Sequence, residues 1–382
     1  MIMTSAAPSP GVMPSVDERA LVAGREVAAL SGGVDSAVAA ALAVRGGRDA
    51  VGITMRLWTP GDGAASDKAR LCCGLEAYED ARRAAGVIGI PHYIINFEAA
   101  FEQAIVRYFC TEYLAGRTPN PCVACNNLMK FGALLDFARA LGAARIITGH
   151  YARVLQAPDG PRLLRAVDRA KDQSYMLAGL RADQLASMVL PLGYWPKERT
   201  RQLARDFGLD IAEKRDSMDL CFVDGDYRGF IARRFPESQA PGPVMTTDGR
   251  IIGRHDGLVG FTVGQRKGVP GDGDNGPLYV VRTERSTNSV IVGRREELAR
   301  ESLLCSSPNL VRPQSFADGR RVSGLAVCRY RSKGVPATAH LQDSDSLAVR
   351  LEVPTPVAPP GQLLAFYDEK DEEVLASGII EQ

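Results

Sequence analysis

Ala29-Leu30-Ser31-Gly32-Gly33-Val34-Asp35-Ser36-Ala37 is the stretch from which the fold is read. The apolar run EVAAL precedes it and DSAVAAALAV continues it, so a short strand, a glycine turn and a helix are expected in that order. Two adjacent glycines let the backbone come close to an anion. Successive N–H groups then form a nest, and the helix opening near Asp35 adds the positive end of its dipole. Such a turn suits a pyrophosphate. No Lys-Ser/Thr follows the glycines, which separates it from the P-loop, and the Gly-x-Gly-x-x-Gly spacing of dinucleotide-binding turns is absent. A structural turn with Asp35 or Ser36 capping the helix is the plainer alternative.

Outward from the turn, residues 25 to 148 alternate short apolar runs (AVGITMRLW, HYIINF, ARIITGH) with helical ones (EDARRAAGVIG, LMKFGALLDFARALG). That alternation predicts an α/β domain, a parallel sheet with helices on both faces. The prolines of GRTPNPCVACN place this segment in a loop ahead of the next helix. Helices are expected around 183–189 and 197–207, the latter amphipathic and readable equally as an RNA-contacting helix or a simple surface helix. Beyond residue 225 the texture changes to Pro-Gly, Asp-Gly and Gly-Gln turn signals between β-prone runs, and the last 80 or so residues alternate apolar and polar without a convincing helix. The expected organisation is a disordered tail at 1–24, a nucleotide-binding catalytic domain at 25–225, a small central domain at 226–298 and a C-terminal β-barrel at 299–382.

The chain has 382 residues, 45% hydrophobic and 24% charged, which is ordinary globular usage. Lys plus Arg is 46 against 45 for Asp plus Glu, a net charge of +1, so any polyanion must be met by local patches. No apolar run of 18 residues and no targeting signal is read, and a cytoplasmic monomer is expected. The eight cysteines, at 72, 73, 110, 122, 125, 221, 305 and 328, read as thiols or ligands before disulfides. Asn120-Pro121-Cys122-Val123-Ala124-Cys125-Asn126 sits just before a helix, where a dipole and a partly open site would lower a thiol pKa. Cys221 lies in Asp216-Ser217-Met218-Asp219-Leu220-Cys221-Phe222. Cys72, Cys73, Cys110, Cys305 and Cys328 are given no catalytic part, since a free cysteine behaves as a small hydrophobe.

Ser31-Gly32-Gly33-Val34-Asp35-Ser36 resembles the PP-loop of the ATP pyrophosphatase superfamily, whose members split ATP into AMP and pyrophosphate to adenylate an oxygen of their substrate. The order PP-loop, TPNPxxxCN, TGHY, KDQSY and xxxCFV, with later GQRKG, Arg329-Tyr330-Arg331 and Pro360-Gly361-Gln362 segments, is similar to the tRNA-specific 2-thiouridylases of the MnmA/TrmU family, from about residue 26 to the C-terminus. The resemblance implies ATP binding by Ala29, Leu30, Ser31, Gly32, Gly33, Val34, Asp35 and Ser36, with Met55 at the adenine, Gly149 letting ATP approach, and Asp35 helping to place Mg²⁺. It implies tRNA binding by Asn120, His150, Lys171, Asp172, Gln173, Arg329, Tyr330 and Gln362. Lys130, Lys197, Arg199, Arg201, Arg266, Lys267 and Arg331 are further candidates for phosphate contact.

The implied reaction is adenylation of the C2 oxygen of the wobble uridine, by family in tRNAs for Lys, Glu and Gln, followed by displacement of AMP by sulfur. In that reading Cys221 carries a persulfide relayed from a cysteine desulfurase system. Cys125 is nucleophile and resolving thiol, with a transient Cys125–Cys221 disulfide. Many relatives carry Asp where this chain has Cys122. The extra thiol leaves a second route open, in which Cys122, Cys125 and Cys221 hold a [4Fe-4S] cluster with one open iron, or a zinc. Rival readings are another PP-loop RNA modifier, a small-molecule synthetase that works without RNA, and a non-enzymatic cysteine-based redox or metal-binding protein.

Overall fold

A computed structural model describes residues 25–59, 74–214, 220–223, 225–271, 276–356 and 358–381. The expected N-terminal tail, Cys72, Cys73 and the run 216–219 lie outside the described residues. The chain divides into two compact units, one of residues up to Val106 with Cys122–Asp224, the other of Arg107–Pro121 with Gly225–Gln382.

In the first unit, β1 (Glu26–Ala29), β2 (Ala50–Arg56), β3 (His92–Asn96), β4 (Ile146–Ile147) and β7 (Met188–Val189) form a parallel sheet in the order β3-β2-β1-β4-β7. The order reverses at β1, the switch point at which open α/β sheets bind ligands beyond their carboxyl ends. The helix after β1, α1 (Val34–Arg45), is buried nearly all round. Its alanines explain this: Ala37, Ala39, Ala40, Ala41 and Ala43 let it lie close against the sheet. α2 (Leu75–Ile88) packs one face of Ala77, Asp80, Ala81, Ala84 and Ala85, and Gly89 ends it in a left-handed conformation (φ 83°).

Two features differ from the sequence reading. The prolines do not hold the cysteines in a loop. Pro121 opens a helix, α3, whose first turn is Pro121–Ala124, whose middle Cys125–Ala133 is π-helical and whose end is Leu134–Ala140. Proline's fixed φ and missing N–H suit the first helical position, where no intrahelical donor is needed. The second feature is a hairpin of β5 (Ala152–Ala157) and β6 (Gly160–Arg165), joined through Pro158-Asp159 with Gly160 at φ 108° opening β6. The Asp-Gly between apolar-rich runs is its signal in the sequence.

In the second unit, β8 (Gly242–Thr246), β9 (Ile251–His255), β10 (Tyr279–Glu284) and β11 (Ser289–Gly293) make a small sheet in the order β10-β11-β8-β9. A helix at Tyr227–Arg234, capped by Asp226 Oδ1 on Arg228 N (3.1 Å), precedes it. Then β12 (Ala299–Leu310), β13 (Val322–Val327), β14 (Val335–Asp343), β15 (Ser346–Pro356), β16 (Leu363–Tyr367) and β17 (Glu373–Ile380) run in the order β12-β15-β14-β13-β16-β17, and β17 pairs back onto β12. Closure removes the exposed edges that such strands would otherwise present. Leu303, Phe316, Leu347, Leu364, Phe366 and Ile380 fill the interior.

Candidate functional site

The glycine turn leaves β1 with Leu30 N donating to Ile53 O (2.9 Å) and the buried Thr54 hydroxyl donating to Leu30 O (2.9 Å). Gly32 has φ 72°, and a Cβ there would lie 2.3 Å from Ala77 O, so glycine is required on both counts. Ser36 Oγ accepts from Ser31 N (3.1 Å), lies 3.1 Å from Ser31 Oγ and donates to Gly33 O (2.9 Å), locking the turn. Gly33 is the N-cap of α1, and no side chain caps the helix. The capping alternative is therefore not the arrangement adopted, and the first-turn N–H groups are left to a ligand. Gly149, just past β4, crosses close to the start of α1: a Cβ on it would sit 2.5 Å from Asp35 C and 2.6 Å from Ser36 N. Met55 lies half-buried near the carboxyl end of β2, on the same edge of the sheet.

The carboxylate of Asp35 is already engaged. Lys197 Nζ donates to both its oxygens (2.7 and 2.8 Å), and Tyr151 OH donates to Oδ1 (3.0 Å) while lying 2.9 Å from Thr200 Oγ1. Lys197 is 5% exposed, on the buried face of α4 (Lys197–Asp206) with Thr200, Leu203 and Ala204. Lys197, expected as a contact for RNA phosphates, is thus placed on a buried face against Asp35, and both oxygens of Asp35, expected to help place Mg²⁺, face its ammonium. The sequence reasoning missed this pair. Its signal is a lysine on the same helical face as Thr200 and Leu203, at i, i+3 and i+6.

The cysteine side of the unit is different. Cys122 is exposed, Cys221 half-exposed and Cys125 only 9% exposed, and none of the three is in a disulfide. Burial pushes the Cys125 thiol up to about 12, against the pull of the Lys130 ammonium, and negative charge on Cys221 or Cys122 would raise it further. The expectation of a depressed thiol is thus overturned: Cys125 sits inside α3, directly after its first turn, where desolvation outweighs the pull of Lys130. That Cys122 and Cys221 both act on Cys125 places the three sulfurs in one electrostatic neighbourhood. They do not converge on an ion, however, since among the described residues no three His, Cys, Asp or Glu side chains are placed to hold one. Cys221 is anchored by its neighbour Phe222, whose ring meets Phe101 (5.6 Å) and Trp58 (6.5 Å) edge-on. The π-helical turn beside Cys125 is braced from outside: Gln184 Nε2 donates to Asn127 O (3.1 Å) and Phe131 O (2.6 Å), and Asn126 Nδ2 to Met176 O (3.0 Å).

Of the residues expected at tRNA, His150 is half-buried beside Phe131 (5.9 Å) with Nδ1 2.8 Å from Thr148 Oγ1. Burial first and Lys130 second hold it well below its ordinary pKa, so it meets a ligand as a neutral ring. Asp172 is 6% exposed, and its carboxylate accepts from Arg165 Nη1 (2.9 Å), Ala166 N (2.8 Å), Ser174 N (3.2 Å) and Ser174 Oγ (2.8 Å). With four donors satisfied inside, its carboxylate holds the shape of the loop that carries Lys171 and Gln173. Gln173 Oε1 accepts from Tyr151 N (2.9 Å), and Lys171 is half-buried beside it.

In the second unit, Asn120 and Tyr330 are half-buried and Arg329 exposed, with Arg331 folded over the Tyr330 ring (5.1 Å) at φ 63°. Gln362 spends its Nε2 on Thr118 O (2.8 Å) and Pro119 O (3.2 Å), and Thr118 N donates to Pro360 O (2.8 Å). In this state its amide donor is committed to the TPNP segment.

Residues 25–225 match a family described as "tRNA methyl transferase HUP domain", 228–294 one described as "tRNA methyl transferase PRC-barrel domain" and 300–380 an "Aminomethyltransferase beta-barrel domain". The chain is 43% identical over 344 residues to the tRNA-specific 2-thiouridylase MnmA of Pelotomaculum thermopropionicum, covering 89% of this chain and 93% of that protein. It is 42% identical over 361 residues to MnmA 1 of Caldanaerobacter subterraneus subsp. tengcongensis (94% and 98% covered). With MnmA of Methylobacterium sp. strain 4-46 it shares 44% over 366 residues (94% of each). The domain descriptions speak of methyl transfer, whereas the relatives matched over nearly their whole length are thiolating enzymes.

Proposed function

The chain belongs to the tRNA-specific 2-thiouridylases, and from that premise we propose that it adenylates the C2 oxygen of the wobble uridine of tRNA and replaces that oxygen with sulfur, releasing AMP and pyrophosphate. The observation that carries the reading is the uncapped turn Ser31–Ser36 at the sheet's switch point, in the same unit as Cys122, Cys125 and Cys221. The turn's N–H groups and the dipole of α1 take the phosphates, while Gly32 and Gly149 supply the close approach that a Cβ would forbid. Mg²⁺ enters as the counter-ion of ATP, part of the substrate, and no protein step runs through it.

The uridine leaves its stack to reach the sheet edge, where the neutral His150 and the Lys171–Gln173 loop receive it, with Asn120, Arg329, Tyr330 and Gln362 as further contacts. Sulfur arrives as a persulfide on Cys221 from a cysteine desulfurase or a relay protein. The Cys125 thiolate attacks the inner sulfur of that persulfide, forming the Cys125–Cys221 disulfide and expelling hydrosulfide. Hydrosulfide adds at C2 and AMP departs with the former uridine oxygen; a thiol reductant then restores both cysteines. Because burial holds Cys125 protonated against the pull of Lys130, this step requires α3 or the Cys221 segment to move first, relieving that burial. The three-part division at 225/226 and 298/299, work as a monomer and residence in the reducing cytoplasm belong to the same proposal. Among the described residues no helix is long and apolar enough to cross a membrane.

The test is nucleoside mass spectrometry of unmodified tRNA incubated anaerobically with the protein, ATP, Mg²⁺ and a sulfide source. Appearance of 2-thiouridine is the expected result. Its absence from protein that holds no iron, with activity regained after reconstitution with iron and sulfide, would favour the cluster route on Cys122, Cys125 and Cys221; absence with iron bound would turn the reading toward another PP-loop substrate.

A further inference from the structure

An acidic side chain at the mouth of a phosphate-binding turn is an electrostatic problem. Asp35 lies in the first turn of α1, two residues after Gly33, where a polyphosphate would meet an uncompensated carboxylate. The remedy expected from sequence was a protein-bound Mg²⁺, yet both oxygens of Asp35 are occupied by the ammonium of Lys197, 162 residues away in the chain. That ammonium is held firmly. Its side chain is 6% exposed against 31% for Asp35, Lys197 N donates to Asp168 Oδ2 (3.0 Å), and the Tyr151 ring lies 5.7 Å from Nζ. Tyr151 OH, near Thr200 on the same helix, completes the shell of Asp35.

We infer that Lys197 is a positioning residue that neutralises and orients Asp35, making the turn competent for a polyphosphate without a protein-held metal. The inference rests on the ATP reading above and deepens it. A carboxylate relieved of its lysine repels each phosphate, so the penalty grows with the ligand's charge. Damage to the fold, by contrast, weakens every adenine nucleotide alike.

The experiment is equilibrium titration of the full chain with AMP and with ATP, each with Mg²⁺, in wild type, Lys197→Met, and Lys197→Met combined with Asp35→Asn, with thermal melts alongside. Lys197→Met should weaken ATP about 10- to 100-fold while moving AMP less than about threefold. The double variant, in which neither charge is left, should regain most of the lost ATP affinity. ATP binding by Lys197→Met equal to wild type would overturn the inference, and so would equal losses for AMP and ATP. If Lys197→Met does not fold, the double variant decides alone: folded and binding ATP within about tenfold of wild type upholds the charge account, and folded without ATP binding overturns it. Failure of the wild-type protein to bind ATP at all would instead strike the functional reading.

Discussion

The glycine turn and the cysteine helix belong to the same unit, and they stand in opposite states of readiness. Around Ser31–Ser36 the hydroxyls and the one carboxylate have their partners, two close approaches are closed by glycines, and the helix end is left uncapped. Around Cys125 the thiol is buried and protonated, its neighbouring sulfurs do not converge, and the helix carrying it is widened to a π form. The contrast teaches that the glycine turn is preorganised, whereas the cysteine region must rearrange before its thiols can react. In the proposed mechanism such a division would protect a persulfide from premature attack until an adenylate exists for the sulfide to meet.

The largest effect should come from the cysteines themselves. Cys125→Ser and Cys221→Ser are each expected to abolish 2-thiouridine formation, measured by nucleoside mass spectrometry, and retained thiolation in either would dissolve the contrast. Next in size is Gly149→Ala, whose methyl would overlap the Asp35–Ser36 backbone. It should cost the turn its geometry and cut tRNA-dependent pyrophosphate release at least about 100-fold, because a misplaced phosphate site loses orientation. Near-normal release would mean the turn is more yielding than the account allows.

A smaller effect separates the thiols. At pH 8 a thiol titrating at about 12 is thiolate to about one part in ten thousand, so iodoacetamide should label Cys122 and Cys221 well before Cys125, as read by peptide mapping. Adding tRNA and ATP should speed labelling of Cys125 if substrate drives the rearrangement, and an unchanged rate would argue against it. The smallest expected effect is at His150. Its folded pKa is lowered, so as pH falls through 6.5 the unfolded chain takes up a proton that the folded chain refuses, and stability declines. His150→Gln should flatten that part of the stability–pH curve in denaturant titrations; an identical slope would show that the ring is not held neutral.

What was legible follows the same line. The turn Ser31–Ser36 and the parallel sheet were readable because strand, glycines and helix are contiguous, and local geometry needs only local residues. The closed barrel was readable from strand alternation and its lack of helices. The lysine partner of Asp35 was not, since nothing local ties residue 197 to residue 35, and a charged amphipathic helix reads as surface. The four hydrogen bonds that the Asp172 carboxylate accepts come from Arg165, Ala166 and Ser174, all within seven residues, but whether a polar turn folds back on itself or faces solvent is not readable from its composition. The state of Cys125 is not legible either: Pro121 reads as a helix breaker yet begins a helix, and burial within that helix reverses the pKa argument built on a loop.

The most direct measurement is to follow pyrophosphate release and 2-thiouridine in the same reactions for wild type and Cys221→Ser, with unmodified tRNA and a desulfurase-charged sulfur donor. If activation is preformed and sulfur delivery separate, Cys221→Ser will release pyrophosphate in a tRNA-dependent manner, to at least one equivalent per enzyme, while making no 2-thiouridine. Loss of both signals together in a folded Cys221→Ser protein would contradict the account and make the two halves a single site.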